Sequence, residues 1–84
     1  SALKIRTGIA TLVGGTVTVS DAATTVSTKV FLTLSNANTT TLTTEYEHVY
    51  ANNVNGVSFE LRANVAAGTI NTADVSTLNY VAIN

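Results

Sequence analysis

Residues Thr7 to Leu34 read TGIATLVGGTVTVSDAATTVSTKVFLTL, short β-branched runs separated by a Gly-Gly pair and by Asp-Ala turn chemistry. Apolar and polar residues alternate along Gly8 to Val13 and again along Thr16 to Ser20, the period-2 pattern of strands with one buried face. Between them, Gly14-Gly15 can supply the positive φ angles that a tight hairpin turn needs. The stretch therefore predicts strand, hairpin, strand.

Working outward, the same pattern predicts strands near Leu3 to Val13, Gly15 to Ser20, Thr28 to Leu34, Thr43 to Ala51, Gly56 to Ala63 and Ser76 to Ile83. The sharpest alternation sets Val57, Phe59, Leu61 and Ala63 opposite Ser58, Glu60 and Arg62, a half-buried strand. The Asn55-Gly56 pair just before it signals a hairpin or bulged loop, so Tyr46 to Tyr50 should pair antiparallel with Val57 to Ala63. In Thr28 to Leu34, Val30, Leu32 and Leu34 share one face and Lys29, Phe31 and Thr33 the other. Phe31 is then either a lone exposed aromatic or a sign that another subunit covers that face. Ser35 to Thr44 reads as a Thr-rich loop. Asn64 to Ala67 could make a helical turn that Gly68 would end. No repeat or heptad is present, so the fold class is all-β in a single domain, residues 1–84.

The chain has 84 residues with no Cys, and only 11% of it is charged at a mean hydropathy of +0.30. A domain this small buries only about 60% of its unfolded-chain surface. Without disulfides or a metal-binding cluster, oligomerisation is the remaining means of stabilising it. Thr and Asn interrupt every apolar run, so no membrane insertion is expected. Lys4, Arg6, Lys29 and Arg62 are scattered, which sets nucleic acid aside. No signal peptide is visible. The opening Ser1, in place of Met, reads as the start of a fragment or processed piece.

The best binding candidates are Tyr46, His48 and Tyr50 along one strand face, with Asn52, Asn53 and Asn55 in the adjoining loop. Rings cover the C–H patches of a pyranose and amides pair with its hydroxyls. The competing reading makes the tyrosines core or interface residues. A metal needs three converging ligands, and Glu45 and Glu47 point away from His48. Only symmetry-related copies of His48 on an oligomer axis could gather one, so no metal and no cofactor is expected. Glu45 and Glu47 lie about 7 Å apart by strand geometry, a spacing that inverting glycosidases also use and that any strand produces. No nucleophile has an activating context, so no catalytic residue is assigned and the domain is expected to be non-enzymatic.

The order ATLVGGTVTVSDAATTVSTKVFLT, then Ser58-Phe59 after Gly56, then DVSTLNYVAI, resembles the small carboxyl-terminal β-domain of bacteriophage tail fibres, tailspikes and related virion proteins. The likeness runs from about Thr7 to Ile83. Lys29 stands two residues before Phe31-Leu32-Thr33 and Tyr80 lies in the final strand, as the family pattern has it. TTEYEHVY, Thr43 to Tyr50, is more charged and aromatic than that pattern. The resemblance implies a small antiparallel β-sandwich, jelly-roll-like, assembled as a homotrimer within a virion. It would serve assembly of the fibre or spike and contact with cell-surface polysaccharide. The alternatives are a capsid decoration or head-fibre protein that stabilises the shell, and a stand-alone lectin-like carbohydrate-binding module.

Overall fold

The structure is a computed structural model that describes residues 3–37 and 45–84. Its strands are β1 (Ile5–Thr11), β2 (Thr16–Ser20), β3 (Lys29–Asn36), β4 (Glu45–His48), β5 (Ser58–Ala66), β6 (Thr69–Ile70) and β7 (Thr77–Ile83), with a 3-10 turn at Tyr50–Asn52. They form two antiparallel sheets, one in the order β1-β7-β3 and one in the order β2-β5-β4 with β6 added on β5. Residues 43 and 44 of the strand expected over Thr43 to Ala51, and most of the loop expected over Ser35 to Thr44, lie outside the described residues.

The two sheets close on one core. Ala10, Leu12, Val30, Leu78 and Ala82 come from the first layer and Phe59, Leu61 and Ala63 from the second, with Val17, Val19, Leu32, Tyr46 and Tyr80 packed against them. Phe59 and Tyr80 meet edge to face with centroids 5.2 Å apart, the geometry that ring quadrupoles favour. Strand β5 alternates as its sequence does: Phe59, Leu61 and Ala63 are buried, while Glu60 and Arg62 face outward.

Strand β1 turns its smaller residues inward. Gly8 and Ala10 face the core, whereas Ile5 and Ile9 are 58 and 66% exposed. Tyr80 occupies the space over Gly8, where an added Cβ would stand 2.5 Å from its hydroxyl. The core thus takes its volume from Tyr80 and Phe59, and β1 supplies the gap they need.

The Gly14-Gly15 turn forms, with φ of +62° and +82° and a Val13–Thr16 bridge, but the expected hairpin does not. The strands on either side part at once, β1 pairing with β7 and β2 with β5. Backbone bonds account for this: Leu12 N–H donates to Ser76 O, Gly15 N–H to Asp74 O and Ala63 N–H to Gly15 O, so the turn is fixed between layers. The helical turn expected over Asn64 to Ala67 is absent too. Strand β5 continues to Ala66, bulges between Asn64 and Ala66, and reverses through Ala67-Gly68 into β6. Gly68, at φ +76°, serves a hairpin turn there.

The layers are also tied at one end by polar contacts. Arg6 on β1 grips Asp21, the residue after β2, with Nη2 2.6 Å and Nε 3.1 Å from Oδ2. Its Nη1 donates to Asn84 Oδ1 at 2.6 Å, which also accepts from Thr28 Oγ1 at 3.0 Å.

The outer faces differ sharply. On the β2-β5-β4 layer they carry Glu45, Glu47, Glu60 and Arg62. On the β1-β7-β3 layer, register sets Ile5 beside Ile83, Thr7 beside Val81 and Phe31, and Ile9 beside Asn79 and Thr33. Phe31 is 62% exposed and stands beside half-buried Val81 on that face.

Candidate functional site

Strand β4 pairs with β5 as the sequence leads one to expect, Tyr46 opposite Ala63 and His48 opposite Leu61. Those partners are fully buried, so the face that Tyr46 and His48 share is the inner one. The three rings therefore do not make an open platform.

Tyr46 is half-buried, and its hydroxyl donates to Asp74 Oδ2 at 2.9 Å and lies 3.2 Å from Ser76 Oγ. Asp74 is itself fully buried and accepts Ser76 N–H on Oδ1 at 2.8 Å. Burial raises the Tyr46 hydroxyl pKa above the ordinary 10.0; the Ser76 contact opposes this and the Asp74 carboxylate reinforces it.

His48 packs edge-on against Phe59, with centroids 6.1 Å apart, and against Tyr50, 6.0 Å apart. Its Nε2 lies 2.7 Å from Asn53 Oδ1. The Asn53 amide nitrogen donates to Thr25 O at 3.1 Å and to Thr28 O at 2.9 Å, which leaves its oxygen as the acceptor. That assigns the His48 proton to Nε2. Asn53 thus fastens β4 to the loop between β2 and β3.

The remaining candidates face outward. Tyr50 falls past the end of β4, is 44% exposed, and carries the Lys29 ammonium 3.7 Å from its ring centroid. Asn52 Nδ2 donates to Glu60 Oε1 at 2.8 Å. Asn55 is exposed at the turn where Gly56 takes φ +74°.

Of the two outward glutamates on β4, Glu47 is held by the Asn64 amide. Glu60 pairs with Arg62 at 2.7 Å. Burial pushes Glu60 upward, but the Asn52 amide and the Arg62 guanidinium outweigh it and hold the carboxyl below the usual 4.5. Asp21 behaves alike: burial raises it, while Arg6, the Ala23 N–H and the Thr24 hydroxyl bring it below 3.8.

Among the described residues, every buried side-chain nitrogen and oxygen has a hydrogen-bond partner, and no three His, Asp or Glu side chains gather as metal ligands. No helix among them is long and apolar enough to cross a membrane. Sequence reasoning missed the Arg6–Asp21–Asn84 cluster and the Asp74 receptor for Tyr46. Their only sequence signal, charged or amide residues flanking strands, is too common to single them out.

The chain matches no curated protein and no solved structure. It does match a sequence family, the carboxyl-terminal domain of the K1 capsule-specific polysaccharide lyase, over residues 4–83. An all-β antiparallel fold, a match along nearly the whole chain and the likeness to tailspike ends agree, and the chain belongs to the family of the K1 capsule-specific polysaccharide lyase carboxyl-terminal domain, a phage tailspike domain.

Proposed function

We propose that this domain is a non-enzymatic, virion-borne assembly module that joins two further copies of itself as a homotrimer at the end of a tailspike or fibre. The observation that carries the reading is how the polar side chains are used. Tyr46, His48, Asn53, Asp21 and Asp74, the groups from which a site would be built, are engaged in fastening one strand or loop to another. A chain of 84 residues without Cys has a thin core of its own, and like copies add stability to it.

Contact with polysaccharide is the second part of the reading. Tyr50 supports it, since it is 44% exposed and Asn55 is exposed on the neighbouring turn. In this reading Tyr46, His48 and Asn53 hold the turn in place and touch no sugar. Capsid decoration and the free lectin-like module have no observation of their own in favour.

Light scattering coupled to size exclusion tests assembly. A threefold mass is expected, with an unfolding midpoint that rises with protein concentration. A monomer with a flat midpoint would refute it. A glycan array on the same sample tests the second part, and binding that survives Tyr50→Ala would remove Tyr50 from it.

A further inference from the structure

We infer that the outer face of the β1-β7-β3 sheet, which carries Ile5, Ile9, Phe31, Val81 and Ile83, is where copies of this chain pack on one another about a shared axis. The inference rests on the self-assembly reading and assigns it a surface.

Three observations place it there. First, apolar residues on this face are large where a solvated sheet would be polar: Ile5, Ile9 and Phe31 are 58, 66 and 62% exposed, and β1 keeps small Gly8 and Ala10 on the inner side. An antiparallel layer facing water on one side ordinarily alternates apolar-in and polar-out. On β1 the larger aliphatic side chains, Ile5 and Ile9, point out instead.

Second, the face offers a single charge, at one corner, for an unlike partner to recognise. Its other members are Thr7, Thr11, Thr33, Asn79 and Thr77, and the one cation, Lys29, sits at the corner with its ammonium over Tyr50. The chain's outward charges lie mainly on the opposite layer, in Glu45, Glu47, Glu60 and Arg62. Charged groups suppress wrong partners and set register between unlike proteins. An uncharged row of Ile, Val, Phe and Thr complements another of the same kind.

Third, the face is too small to make an interface by itself, so the strands that border it must take part. Strands of seven residues rising ~3.3 Å each, three abreast at ~4.8 Å, give a plan of roughly 23 by 14 Å. A standard two-protein interface takes about 800 Å² from each partner, so a simple face-to-face pair is undersized. Three sheets turned toward one axis let each meet two neighbours and bring β1 and β3, the outer strands of that sheet, into contact as well.

The test uses the full chain. Ile9→Lys with Phe31→Lys should convert the assembled species to a folded monomer by light scattering and circular dichroism, while Thr18→Lys on the opposite layer leaves it assembled. An assembled double variant overturns the face and leaves self-assembly standing; a monomeric wild type overturns both. Should the double variant fail to fold, single thiols decide, because the chain has no Cys. Alkylation of Thr7→Cys should run at least about tenfold slower than that of Thr18→Cys under assembling conditions, with the rates converging in denaturant. Equal rates under assembling conditions overturn the proposal.

Discussion

Replacing Asn53 with Ala separates a fastening residue from a ligand-binding one. The side chain makes three hydrogen bonds, to His48 Nε2, Thr25 O and Thr28 O. At about 1 kcal/mol each their loss amounts to about 3 kcal/mol. Asn53 is half-buried, so water can re-pair one partner, leaving a cost of about 2 kcal/mol. In a domain of this size that lowers the melting temperature by roughly 8–16 °C. Thermal and urea melts at one fixed protein concentration measure it, since assembly makes the midpoint concentration-dependent. Asn55→Ala is the control: it is exposed and should stay within about 0.5 kcal/mol of wild type. An Asn53→Ala melt indistinguishable from that of Asn55→Ala would refute the fastening role and return Asn53 to the ligand candidates.

The two glycines of the inter-layer turn should respond unequally. Gly15→Ala places a Cβ against the Asn71 carbonyl at a positive φ and should cost more than about 2 kcal/mol, whereas Gly14→Ala meets only the Thr72 carbonyl at an ordinary 3.9 Å and bears only the backbone strain of about 1–2 kcal/mol; equal melts would count against the packed turn. Stability should be level above the ordinary carboxyl values of 3.8 and 4.5 and fall as acid protonates Asp21 and Glu60, both held low in the fold. Arg6→Gln should shrink the Asp21 share of that acid limb, and an unchanged pH profile would refute the pairing. On the alkaline side Tyr46, raised in the fold, contributes fully below pH 10.0 and loses its contribution above it, so Tyr46→Phe should flatten that limb in pH-jump melts.

How much of this was legible depended on the kind of signal each residue carried. Strand β5 was readable because only one of its faces is apolar, and its pairing with β4 followed from the Asn55-Gly56 turn. On β1 both faces mix apolar and polar residues, Arg6, Gly8 and Ala10 against Ile5, Thr7, Ile9 and Thr11, and period-2 divides them into two sets without saying which goes inside. Tyr80, seventy-two positions beyond Gly8, made that choice through its volume. Likewise Gly14-Gly15 announced its turn but not its destination, which depends on Ser76 and Asp74 arriving at Leu12 and Gly15. The candidate site shows the same division. Period-2 correctly placed Tyr46 and His48 on one face, while the buried partners Ala63 and Leu61 set that face inward and gave the hydroxyl and imidazole structural roles.

The backbone joins the two ends of the described chain: Lys4 N–H donates to Asn84 O and Asn84 N–H to Lys4 O, extending the ladder between β1 and β7. The ends therefore leave from the same corner of the sandwich, on neighbouring antiparallel strands. Tension drawn between those ends would open the ladder one rung after another like a zipper, at low force. Tension shared between one end and the outer face of the first sheet would shear many rungs at once, so this domain's resistance to being pulled apart is set by where it is gripped.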